Sequence, residues 1–253
     1  MLDAAWWGFV AGSSLLVGAV LGLVLTVSHR TIGLVMAFGA GVLISAAAFE
    51  LTEEAYQSGG GVAASLGLFA GAVTFFVGDL LIDRRGGHRR KSPVHGGVRH
   101  TGTHTAQAVG ASSGLALVLG ALLDGIPESA AIGITLLDGA GVGLTMVAAV
   151  FISNIPESMS ATTGLKASGR STRWILGLWS LVVVASTVAA VLGYGLLGGA
   201  SAGTVAFIQT FAAGAILTML ADTMMPEAVE HSGRLVGLLT VLGFAVAFLL
   251  GAT

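Results

Sequence analysis

The phrases LDGIPESAAIG and ISNIPESMSATTG occur at 123–133 and 152–164. Each sets a glutamate directly after a proline: Glu128 after Pro127, and Glu157 after Pro156. Asp124 and Glu128 are four residues apart, which places both side chains on one face of a helix. Ser153 and Glu157 repeat that spacing, with Asn154 adjacent. Proline lacks an N–H and clashes with the carbonyl four residues back, here Leu123 and Ile152. Each proline is therefore expected to kink its helix and free a carbonyl beside the side-chain oxygens. Two neighbouring antiparallel helices built this way can converge oxygen ligands on one cation. An all-oxygen set suits Mn²⁺, Mg²⁺ or Ca²⁺, whereas zinc accepts carboxylates but commonly uses His or Cys. The chain has no cysteine, which excludes disulfides, thiolate metal sites and cysteine nucleophiles.

Both phrases sit inside long apolar segments. Of 253 residues 55% are hydrophobic and 9% charged, against about 25% charged in soluble domains. An all-α integral membrane protein is expected, as one domain over 1–253. About 20 apolar residues cross a bilayer as a helix, and eight stretches qualify: 5–27, 31–54, 61–82, 108–135, 141–165, 174–198, 203–225 and 233–252. The start, MLDAAWWGFV, lacks a basic region and reads as the beginning of the first span, not a cleaved signal. All eleven Lys and Arg residues fall in alternate loops: Arg30; Arg84, Arg85, Arg89, Arg90, Lys91 and Arg99; Lys166, Arg170 and Arg173; and Arg234. The positive-inside rule makes that side cytoplasmic and puts both termini outside. The segment 83–107 reads as a flexible, basic, His-containing cytoplasmic loop. The 39 glycines suit close helix approach in lipid.

A central acidic residue costs about 2.5–3.5 kcal/mol on insertion scales. Asp124, Glu128 and Glu157 together cost roughly 8–10 kcal/mol if bare and ionised. No Lys or Arg lies at that depth to pair with them. They are either protonated and hydrogen-bonded, or they bind a cation. Two copies with matching polar partners favour the cation.

The two phrases resemble the fourth and fifth transmembrane helices of ZIP-family divalent metal transporters of the bacterial type. AGAILTMLADTMMPEAVEHSG is similar to that family's seventh helix, and GAGVLISAAAFELTEEA to its second. The resemblance implies eight spans, outside termini, a homodimer and a rigid-body movement of the site-bearing bundle. It places Asp124 at the family's histidine, Gly125 at its asparagine, and Glu128 and Glu157 at its glutamates; Ser186 stands where some members have a sixth-helix glutamate. A single metal between Asp124, Glu128 and Glu157, helped by Ser153 or Asn154, is then expected. The cargo implied is Zn²⁺ first, with Mn²⁺ or Fe²⁺ behind it, carried into the cytoplasm across a plasma or inner membrane. No enzymatic activity, resident cofactor or nucleic-acid partner is expected.

Further polar residues mark a possible pathway. Glu50, Glu53 and Glu54 end the second span outside, as either a cation-attracting mouth or a solvated helix end. Asp222, Glu227, Glu230 and His231 end the seventh span inside. Asp79 and Asp83 are expected to form interfacial ion pairs. All six histidines, His29, His88, His95, His100, His104 and His231, fall on the cytoplasmic side; the four in the long loop are either a transient hold for metal as it exits or part of a basic surface near anionic lipid. Gly67 and Gly71 form a GxxxG that suits packing on another helix or on a second subunit. Two rival functions are a metal sensor without flux and an intramembrane aspartyl hydrolase using Asp124 and Asp222.

Overall fold

The structure is a computed structural model that describes residues 1–84, 106–137 and 141–251. The expected loop 83–107, with His88, His95, His100 and His104, lies outside the described residues but for its ends. Every described element is helical: α1 Leu2–Val24, α2 His29–Ala46, α3 Glu54–Gly59, α4 Gly61–Arg84, α5 Ala106–Thr135, α6 Leu144–Ala167, α7 Thr172–Leu197, α8 Ala202–Met219, α9 Met225–Ser232 and α10 Leu235–Gly251. Two π-helical segments, Ala47–Glu53 and Leu220–Met224, join α2 to α3 and α8 to α9 without a break.

Among the described residues, six helices are long and apolar enough to cross a membrane: Leu2–Val24, His29–Gly59, Gly61–Ile82, Val118–Thr135, Thr172–Leu197 and Ala202–Ser232. The other two expected spans are also helical. One of them, α10, is apolar but 17 residues long. The other, α6, has 24 residues, but Ser153, Asn154, Glu157, Ser158, Ser160, Thr162 and Thr163 dilute its apolar character. Large apolar side chains are exposed along the outer helices, including Leu66, Phe69 and Phe76 on α4 and Leu238, Val241 and Leu249 on α10. Such stripes suit lipid and are unfavourable in water.

Serines start three helices. Ser28, Ser171 and Ser201 accept from the amides of Thr31, Trp174 and Thr204 at 3.1, 3.3 and 3.2 Å, which satisfies donors that a helix start leaves open. Pro127 and Pro156 lie inside continuous α-helices, and π geometry occurs at Ala47–Glu53 and Leu220–Met224.

The chain contains a repeat. The continuous helices His29–Gly59 and Ala202–Ser232 each have 31 residues. In each, an 18-residue α-helix precedes the π segment. Each starts at a Ser-x-x-Thr cap with hydroxyls 2.8 Å apart, and each is followed by a positive-φ glycine, Gly60 (φ 84) or Gly233 (φ 61). They run in opposite directions: Gly33, early in α2, backs on Ala228 and Ser232 of α9, while Gly59 backs on Ala202 and Ala206 of α8. Packing follows the same symmetry. The pair α4 with α8 matches α10 with α2, and α1 with α6 matches α7 with α5. The helices therefore form two groups, α1, α5, α6 and α7 against α2, α4, α8 and α10, which meet mainly where α2 lies on α6 and α8 on α5.

Glycines allow the closest approaches. A Cβ on Gly41 would press on Thr240 O of α10, and one on the matching Gly214 would press on Leu68 O of α4. Gly67 and Gly71 likewise face Phe207 O and Phe211 O, so the GxxxG packs on a helix of its own chain. Overpacking of this kind costs about 1–3 kcal/mol. Gly41→Ala and Gly214→Ala are each expected to lower the thermal stability of the detergent-purified protein; an unchanged melting curve would contradict the close packing.

Candidate metal centre

The i, i+4 spacing survives folding because α5 runs through Pro127 uninterrupted. Asp124 and Glu128 occupy one face of α5, and both are buried. Ser153 and Asn154 are buried on α6, and Glu157 is half-buried. The Ser153 hydroxyl donates to Val150 O at 3.1 Å, so its oxygen lone pairs remain available. Behind it stands α2: a Cβ on Gly39 would lie 3.0 Å from Ser153 Cα. Beside Asp124, Gly125 opens onto Ser186, whose Oγ would be 3.3 Å from an added Cβ with no other atom within 4 Å. The helix carrying Ser186 is tied to α6 by Trp179, whose Nε1 donates to Thr162 Oγ1 at 2.9 Å.

Glu128 is 1% exposed, and neither of its carboxylate oxygens has a hydrogen-bond partner. The charges that act on it are like charges, Glu157 first and Asp124 second. A buried carboxyl with no donor is costly, and nearby carboxylates do not relieve that cost. An oxygen-binding cation at this point would. Among the described residues, no three His, Asp or Glu side chains are gathered closely enough to hold a metal ion as they stand. The donors present are oxygen atoms and one amide side chain.

The pathway residues separate into two ends. At one end, Glu50 is half-buried and its Oε2 accepts the Met146 amide of α6 at 3.0 Å. Glu53 is exposed and takes a hydrogen bond from Gln57 at 3.1 Å. Glu54 takes one from the buried Gln209 of α8 at 3.2 Å. With Phe49 and Phe248 these acids line a cleft of about 350 Å³. At the other end, Glu227 accepts from Ser160 at 2.5 Å, and the His29 and His231 rings are 5.1 Å apart. Asp222 lies half-buried in the second π segment. Lys166 bonds Leu23 O, and Ser232 bonds Arg30 O, which gathers basic loops at this same end. Asp79 is buried.

Gln209, Ser160 and Met146 take part in these contacts without having been marked by the motif spacing. Gln209 carried a visible signal, a lone amide inside an apolar segment. No protein-family model matches the sequence, and no curated protein matches it.

Proposed function

We propose that the chain is a ZIP-like transporter that carries a divalent metal cation into the cytoplasm. In this reading all eight helical segments cross a plasma or inner membrane, with both termini outside and the basic loops in the cytoplasm. The cation is held by Asp124, Glu128 and Glu157, with Ser153 and Asn154 contributing oxygen. The single observation that carries this reading is Glu128: fully buried, with two carboxylate oxygens that no donor meets. Zn²⁺ leads on the resemblance, and the oxygen-only donors keep Mn²⁺ and Fe²⁺ close behind. The shortness of α10 is compatible with a span, because 17 residues rise about 26 Å, near the thickness of a thin hydrocarbon core.

The test is uptake of Zn²⁺, Mn²⁺, Fe²⁺ and Mg²⁺ into liposomes holding the purified protein or Glu157→Ala. Saturable uptake that the variant loses is the expected result. Folded protein that moves none of these ions would overturn transport; metal binding without flux would then point to a sensor.

A further inference from the structure

Two glutamates outside the candidate centre hold α6 at its two ends. Glu50 lies in the first π segment, and Met146 is among the first residues of α6. Helix starts leave such amides without intrahelical partners, and the cap residue here, Gly143, has no side chain to meet them. Glu50 supplies the missing acceptor from another helix, taking the Met146 N–H at 3.0 Å. Near the other end, Glu227 of α9 accepts the Ser160 hydroxyl at 2.5 Å. The two carboxylates come from the two halves of the repeat, one inside a π segment and one just after the other. Both reach from the group containing α2 and α8 onto a helix of the opposite group. Their attachment points, Met146 and Ser160, bracket Ser153, Asn154 and Glu157.

We infer that Glu50 and Glu227 are positioning residues that clamp α6 from both ends and so fix where Glu157 stands relative to Glu128. The inference rests on the reading of α6 as one half of the metal centre. A clamp works through an acceptor oxygen, whereas an acidic mouth works through charge, and two substitutions separate these. Glu50→Gln keeps an acceptor and removes the charge. Gly143→Ala keeps the charge, but its Cβ would lie 2.7 Å from Glu50 Oε2, so the carboxylate must leave the helix end.

The experiment compares wild type, Glu50→Ala, Glu50→Gln, Gly143→Ala and Ser160→Ala as full-length protein in liposomes. It reads amide hydrogen exchange along α6 and the KM for Mn²⁺ and Zn²⁺ uptake. Glu50→Ala and Gly143→Ala are expected to speed exchange in the first turn of α6 about tenfold, the scale of a lost helix cap, and to raise KM. Glu50→Gln should stay near wild type in both, and Ser160→Ala should speed exchange in the C-terminal half of α6. The clamp is overturned if Glu50→Gln is as impaired as Glu50→Ala while Gly143→Ala behaves as wild type. It is equally overturned if Glu50→Ala leaves exchange unchanged. Absence of uptake by the wild type would remove the transport reading, and the exchange data would still decide the clamp.

Discussion

Glu128→Leu is expected to abolish saturable metal uptake while making the metal-free protein more stable. The two effects have one cause. Glu128 is buried with both oxygens unpartnered, and a buried polar group without a partner costs about 1–3 kcal/mol. Leucine has similar bulk and no such cost, so the melting temperature of the metal-free protein should rise by the equivalent of that amount. Uptake should fall at least ~100-fold, since even residues that only support a ligand cost 10–100-fold when lost. Glu128→Gln keeps the shape but not the charge, and it should lose uptake as well. Thermal unfolding and liposome flux on the same preparations check both signs. A Leu variant that is less stable and still transports would show that the carboxyl is a protonated structural group.

Asp124→His is expected to move metal preference toward zinc. Asp124 lies one helical turn before Glu128 on the same face of α5, and it is buried. With the native residue the donors around Glu128 are oxygens and the Asn154 amide, a set that suits hard cations. An imidazole nitrogen favours zinc. The Zn²⁺ to Mn²⁺ ratio of uptake KM values should shift toward zinc by about tenfold, roughly 1.4 kcal/mol of differential binding. Competition between the two ions in the same liposomes measures it directly. An unchanged ratio would place Asp124 outside the coordination sphere.

The helical segments were legible because apolar length alone defines them; all eight expected stretches contain helix. Their ends were less so. The second and seventh segments run on to Gly59 and Ser232, past the expected ends at 54 and 225. A π turn leaves no composition signal that an apolar pattern can show, so the sequence pointed only to the two prolines as places where a helix is disturbed. Pro127 and Pro156 lie within the continuous helices α5 and α6. The face shared by Asp124 and Glu128 followed from spacing. The contact of Glu50 with Met146 did not, because it joins residues far apart in sequence and one partner is a backbone amide that every residue possesses. The repeat was hidden for a similar reason: His29–Gly59 and Ala202–Ser232 share caps, lengths and glycine contacts more than residue identities.

Each π segment amounts to one residue more than an α-helix of the same reach would need. Deleting a residue there would restore α geometry and rotate everything beyond it by about 100°. Glu54 would turn away from Gln209, and Glu227 from Ser160. Such a deletion would be read genetically as a loss of function with no charged residue altered. The same extra residue stands at matching places in both halves.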